Sequence, residues 1–183
     1  MTERPVVEVD EGIAPTGALV VNCFPSVGFV SSIVAHYLIE KLELKLVGGV
    51  THPQLPPMCL VQDGKPLPPL RFYAGEPICN LERCDKVILI VSEVQIENQI
   101  KMGLARSLMD WIKESGSGIS IMIDSFAKNN KEGHTILDDD NKDTTMLGIG
   151  STDVAIKTLE EIGLPLLKHG IVGGMTGVMM GES

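Results

Sequence analysis

The sequence predicts an α/β fold: a three-layer α/β/α sandwich around a mostly parallel sheet with an antiparallel edge hairpin, phosphorylase- or hydrolase-like in outline. Three observations predict it. Ala18–Phe24 and Val87–Val91 are short apolar runs with no polar alternation, as in strands buried on both faces. After residue 86 strand-patterned and helix-patterned runs alternate, the rhythm of a wound α/β domain. Between Met58 and Ala74, short runs flank the pair Asp63-Gly64, which marks a hairpin turn.

Residues 1–17 are polar, carry Pro5 and Pro15, and leave room for one short strand near Val6–Val9. Ala18–Phe24 is the first buried strand and stops at Pro25-Ser26. Ser26 is placed to cap the following helix by accepting from a free backbone N–H. In that helix Val27, Val30, Ile33, Val34, Tyr37, Leu38 and Leu42 recur at three- and four-residue spacings and predict its core-facing side. Gly28, Ser31, Ser32 and Ala35 are small enough to let it lie close to the strands. Leu44–Val50 reads as a strand bent at Gly48-Gly49. Pro53, Pro56 and Pro57 make Thr51–Pro57 a stiff loop. Lys65–Pro69 is proline-rich, and Leu70–Ala74 alternates like a strand belonging to the edge hairpin. Val87–Val91 is a central strand with Ser92 and Glu93 at its carboxyl end.

Asn98–Glu114 predicts a helix with Ile100, Leu104, Leu108, Trp111 and Ile112 on its core stripe, stopped at Gly116-Ser117-Gly118. Ile119–Ile123 reads as the next central strand, with Asp124-Ser125 at its end. A polar loop of about twenty residues follows, a length that marks function or mobility. Gly148–Ser151 leads into a helix over Thr152–Ile162 with Ser151 as its cap, Asp153 in its first turn and Gly163 as its stop. Gly170–Ser183 is glycine-rich and then apolar at helical spacing. The expectation is a single α/β domain over residues 1–183, lacking a C-terminal helix–strand–helix with which the natural chain would continue.

Composition narrows the function classes. Of 183 residues 44% are hydrophobic and 21% charged, a soluble globular balance. A net charge of −9 and only 4% aromatics argue against nucleic acid, whose binding needs a basic face and stacking rings. No run is long enough for a membrane helix. Met1–Glu11 carries four acidic residues and is no signal peptide. Cys23, Cys59, Cys79 and Cys84 form no C-x2-C pair, so no metal or other cofactor is expected. A reducing cytoplasm fits these features.

Open α/β sheets bind ligands beyond the carboxyl ends of their strands, which makes Asn22, Glu93 and Asp124 candidate ligand residues, with Ser92 and Ser125 beside them. No base and orienting partner flank these serines in a G-x-S-x-G turn, and His36, His52, His134 and His169 fall in no nucleophile pattern. Gly148, Gly150 and Ser151 precede a helix whose N–H groups could hold an anion, although no Lys or Arg stands next to them. Asp138-Asp139-Asp140 with Asp143 lacks the spacing of a calcium loop. No catalytic residue is therefore assigned. Ile96, Met102, Met109 and the turn Met175–Met180 exceed what one core stripe needs, and adaptable methionines often line protein contacts.

Three stretches carry a resemblance. They are Gly17–Val30 with the helix piece Ala35–Ile39, Val87–Glu93 with the helix ending near Trp111, and Gly170–Gly177. In that order they resemble the archaeal branch of the proteasome assembly chaperone family, which contains the eukaryotic second assembly chaperone. The resemblance spans most of residues 12–183. It implies a phosphorylase-like α/β/α fold and a non-enzymatic protein that binds copies of itself and proteasome subunits. Some members resemble ATP-grasp enzymes, but this chain has no cluster of Lys or Arg and no carboxylate pair to support nucleotide ligation. Some archaeal members end in a hydrophobic-tyrosine-any tail, which Gly181-Glu182-Ser183 does not match. The alternative readings are a phosphorylase- or hydrolase-like enzyme using Asn22, Glu93 and Asp124, and a small-ligand or nucleotide-binding protein using Gly148–Ser151.

Overall fold

Six strands form one mixed sheet in the order β1-β3-β6-β7-β2-β8. They are β1 (Val6–Val9), β2 (Leu19–Cys23), β3 (Lys45–Thr51), β6 (Leu70–Gly75), β7 (Val87–Ser92) and β8 (Ile119–Ile123). The computed structural model describes residues 4–10, 12–76, 86–125 and 146–183. Its described residues through Ser125, together with Gly174–Glu182, make one compact unit, and residues 146–173 make a second.

The α/β class is the one the sequence predicts, but the antiparallel part of the sheet is wider than an edge hairpin. β1 pairs antiparallel with β3, β3 with β6 and β6 with β7, while β2 runs parallel to both β7 and β8. The Asp63-Gly64 turn does form, with φ of 50° and 75° at its two residues, the left-handed pair that a tight two-residue hairpin requires. It joins β4 (Leu60–Gln62) to β5 (Lys65–Leu67) in a separate two-stranded sheet. Leu70–Ala74, expected in that hairpin, instead forms most of β6 and lies inside the main sheet between β3 and β7. Ile119–Ile123, expected as a central strand, stands at the end of the strand order, with Ile119 and Ile121 exposed.

Each strand sends alternate side chains to opposite faces. Val20, Phe24, Leu70, Phe72, Ile88 and Ile90 face one way, toward Leu104, Leu108, Ile112, Met175 and Met179 of α2 (Asn98–Glu114) and α4 (Gly174–Glu182). Val21, Cys23, Tyr73, Leu89 and Val91 face the other way, toward Ala35 of α1 (Val30–Lys41). This is a three-layer arrangement. Each large apolar side chain buried in it contributes about 1.5–3 kcal/mol. Ile96, Met109, Met175 and Met179, expected as docking surface, are buried in the α2–α4 layer; of that set Met102 is exposed.

β3 bulges between Leu46 and Gly48, as the Gly48-Gly49 pair leads one to expect. A Cβ on Gly48 would lie 2.1 Å from the Glu8 carbonyl oxygen of β1, so only glycine lets the two backbones approach. Gly48→Ala is expected to cost about 1–3 kcal/mol as an overpacking change. A lower urea midpoint checks this, and an unchanged one would show that β1 is not held there.

α1 is oriented against expectation. A turn over Val27–Phe29 precedes it, with Gly28 and Phe29 in left-handed conformation (φ 66° and 58°). Ser26 Oγ accepts from the Ser31 backbone N–H at 3.1 Å, so it ties down the second residue of the helix from further back than a standard cap. The fully buried residues of α1 are small ones, Ser31 and Ala35, with Leu38, Ile39 and, just past the helix end, Leu42 half-buried against the same side of the sheet, as predicted for Leu38 and Leu42. Ser31 Oγ donates to the Phe24 carbonyl, locking the helix onto the end of β2. Val30, Ile33 and Tyr37, predicted to be core, are exposed, Ile33 at 64%.

In the second unit Gly148 and Leu166 form a parallel bridge, and α3 (Asp153–Glu161) follows. Its cap is Thr152, whose side chain accepts from the Ala155 N–H at 3.1 Å, rather than Ser151.

Candidate functional site

The candidate residues of the first unit do not converge. Asn22 shares a strand face with Val20 and Phe24, toward α2 and α4. Its Nδ2 donates to Ser120 Oγ at 3.0 Å and to the Ile121 carbonyl at 3.1 Å, stitching β2 to β8. Its Oδ1 is buried with no hydrogen-bond partner. Glu93 follows β7 on the opposite face, under α1. Asp124 is exposed, and its Oδ1 accepts from the Ser125 N–H at 2.7 Å. Ser92 and Ser125 are used locally: Ser92 Oγ bonds the Val94 backbone and Ser125 Oγ donates to the Val27 carbonyl. A nucleophile–base pair is not formed by this set.

Glu93 belongs instead to a polar network between sheet and α1. Arg71 on β6 has a fully buried side chain, and its Nη2 donates to both Glu93 oxygens, at 2.5 and 2.7 Å. Arg71 Nη1 donates to the Pro68 carbonyl at 3.0 Å and Nε to the Tyr73 hydroxyl at 3.2 Å. Tyr73 in turn donates to Gln62 Oε1 of β4 at 3.4 Å. On the outer side His36 Nε2 of α1 meets Glu93 Oε1 at 3.0 Å. Burial pushes the Glu93 carboxyl pKa up, but the hydrogen bonds and charge of Arg71 outweigh it, with its own backbone and His36 adding to them. The net position lies below the usual carboxylate range. Burial likewise pulls Arg71 down, and Glu93 more than restores it. Glu93 is thus held ionised with its oxygens already engaged, which leaves no free base for a substrate. The network joins the β4–β5 hairpin, the central strands and α1.

Sequence reasoning singled out Glu93 but missed Arg71, Tyr73 and Gln62 as its company. The available signal was an arginine between Leu70 and Phe72, a charge inside an apolar strand. It reads as solvent-facing only while that strand is placed at an edge. Cys23, buried in β2, has its thiol pushed up to about 12 by burial and is inert at neutral pH.

Two shallow cavities of this unit measure about 230 and 180 Å³, below the range of small-molecule pockets. The first is lined by Arg4, Val7, Asp110 and Trp111 and the second by Ile13, Gly75, Lys86 and Val87, so neither contains Asn22, Glu93 or Asp124. Among the described residues no three His, Cys, Asp or Glu side chains group as metal ligands, and no helix is long and apolar enough to cross a membrane. Cys79, Cys84, His134, Asp138–Asp140 and Asp143 lie outside the described residues.

In the second unit the glycines serve packing. The Gly148 N–H donates to the Pro165 carbonyl at 2.8 Å and its carbonyl accepts from Leu167 at 2.9 Å, so this N–H is not free for an anion. A Cβ on Gly148 would lie 3.0–3.1 Å from Leu164 and Leu159, and one on Gly150 would lie 2.7 Å from the Ile156 nitrogen. Ser151 is exposed at the start of this turn.

The exposed side of α1 and its lead-in carries Val27, Phe29, Val30, Ile33 and Tyr37. Val30, Ile33 and Tyr37 follow one stripe along the helix, and the Glu93-bound His36 flanks it.

These features meet in a known family. A family model described as the PAC2 family matches residues 20–183. An uncharacterized protein of Methanocaldococcus jannaschii is 23% identical over 162 residues, 88% of this chain and 59% of that protein. The crystal structure of Pyrococcus furiosus PbaA, described as an archaeal homolog of proteasome-assembly chaperone, aligns with TM-score 0.78 and 24% identity over 97% of this chain and 66% of that one. Pyrococcus furiosus PbaB, described as an archaeal proteasome activator, aligns with TM-score 0.73 and 14% identity over 98% of this chain and 74% of that one. The chain thus spans about 59% of the length of the curated relative it matches. The opening strand and inverted helix, the central Val87–Glu93 strand and the closing glycine-rich helix all fall within the matched residues, and the chain belongs to the PAC2 family.

Proposed function

We propose that this chain is a non-enzymatic, cytoplasmic protein-binding module of the proteasome assembly chaperone type, which self-associates and engages proteasome subunits. The observation that carries this reading is α1 with its lead-in turn: the helix buries serine and alanine and offers Val30, Ile33 and Tyr37 to solvent, and Phe29 just before it is exposed too. Large apolar side chains in one contiguous exposed stripe are characteristic of an interaction face. The likeness to PbaA, an archaeal homolog of proteasome-assembly chaperone, and to PbaB, an archaeal proteasome activator, points to the proteasome as the system concerned. The enzyme reading loses support because Asn22 and Glu93 lie on opposite faces of the sheet and Glu93 is spent on Arg71 and His36.

The test is co-elution of the purified chain with separately produced archaeal proteasome α- and β-subunits. A complex with unassembled subunits, or a changed rate of their assembly, is the expected result. Absence of any complex, or a large thermal shift with ATP or a nucleoside, would count against it.

A further inference from the structure

We infer that His36 is a pH-sensitive fastening between α1 and the sheet: with its imidazole protonated it clamps the middle of the helix to Glu93, and with that proton lost the helix opens more readily. This device is separate from the reading above and holds whatever α1 binds.

Among the described residues two side chains of α1 tie it to the sheet by hydrogen bonds. Ser31 Oγ donates to the Phe24 carbonyl at the helix start, and a hydroxyl does not titrate near neutral pH. His36, more than a turn further on, meets Glu93 Oε1 through Nε2 at 3.0 Å. Side-chain exposures of 52% for His36 and 21% for Glu93 leave this contact open to solvent protons. An ionised carboxylate only accepts, so the contact needs a hydrogen on Nε2. A neutral imidazole carries it in one of its two tautomers. The imidazolium always carries it, with a charge that roughly doubles the strength of the bond. α1 fully buries only Ser31 and Ala35, with Leu38 and Ile39 half-buried. Its apolar anchorage is therefore modest, and one polar contact carries weight in its opening.

The anion of the pair does not titrate in the same range. Against the upward push of burial, Arg71 donates to both Glu93 oxygens and holds that carboxyl below the usual carboxylate range. Histidine is the residue type that titrates between about pH 5 and 8, so in that window the contact changes through His36. The other groups around it, among the described residues, act weakly or not at all. Arg71 opposes a charge on His36, but from behind the carboxylate that touches the ring, so the nearer contact governs. Tyr73 of β6 is engaged with Arg71 and Gln62. Cys23 of β2, on the same sheet face, has its thiol pushed up to about 12 by burial and stays neutral. Glu40, exposed one turn further along α1, favours the charge slightly.

Hydrogen–deuterium exchange of the full chain, followed by mass spectrometry at about pH 5.5 and about pH 8, tests this once each rate is divided by its intrinsic value at that pH. Peptides covering α1 should be about threefold better protected at the lower pH. Those covering α2, on the other face of the sheet, should not change. His36→Gln keeps a donor but no titrating charge, and should leave α1 at its lower protection under both conditions. His36→Arg keeps a charge throughout, and at the higher pH should protect α1 better than His36→Gln does. His52→Gln, in the proline-rich loop, should leave the wild-type response intact. His36 is exposed, so circular dichroism of its variants should match wild type. Equal protection of α1 under both conditions, a response that survives in His36→Gln, or the same response in α2 would overturn the inference. The wild-type comparison of α1 with α2 needs no variant and can overturn it by itself.

Discussion

Glu93→Ala is expected to cost about 3–5 kcal/mol of folding stability, because it leaves the buried charge of Arg71 without a partner. Arg71 has no exposed side-chain surface, whereas Glu93 keeps 21% of its own, so water reaching the vacated space replaces the carboxylate only in part and the guanidinium loses its counter-charge. Adding Arg71→Met to Glu93→Ala should recover most of the loss, since removing both charges is often neutral or better, whereas removing one is not. Urea denaturation of the two single variants and the double variant gives the coupling directly. Additive losses would show that the pair is not a unit.

The same residue sets a pH dependence. Its folded pKa lies below that of an unfolded glutamate, which is about 4.3. The stability it contributes is therefore fully present above that unfolded value and is lost as pH falls through the folded one. Glu93→Gln should remove this share of the acid loss. Identical acid profiles for wild type and Glu93→Gln would refute the assignment.

Phe72→Ala is the second large effect, at about 3–5 kcal/mol. Phe72 is fully buried on β6 beneath α2. Its ring meets Trp111 of α2 at 4.9 Å between centroids and 75° between planes, an edge-to-face pair that adds to its burial. Trp111 is the sole tryptophan, so its emission reports the site without labelling. A lower urea midpoint together with red-shifted native emission is expected. A midpoint within error of wild type would mean that α2 does not rely on this contact.

Strands in this chain were legible wherever burial on both faces left an uninterrupted apolar run. Val87–Val91 and Ala18–Phe24 are of this kind, and the Asn98–Glu114 helix could be read to the residue from its core stripe and stops. Position within the sheet was less legible. Leu70–Gly75 carries Arg71 and follows a proline-rich segment, so local pattern places it at an edge, while long-range pairing with β3 and β7 places it inside. α1 misleads for a related reason. Periodicity shows that a helix has an apolar stripe, but not that the opposite, small-residue side packs closer to the sheet and takes the buried position. The Glu93 network was hidden because its members, Gln62, Arg71, Tyr73 and His36, are local oddities that only the fold assembles. Strand-end logic found Glu93 but grouped it with Asn22, from which the sheet itself separates it.

The strand order carries a consequence for how the protein is made. β2 is the most apolar opening element, yet both of its neighbours, β7 and β8, are encoded far downstream. A chain leaving the ribosome therefore carries Leu19–Cys23 unpaired until the whole antiparallel section has emerged. During that interval it is a ready client for holding factors, and slow translation between residues 24 and 86 would lengthen its exposure to aggregation.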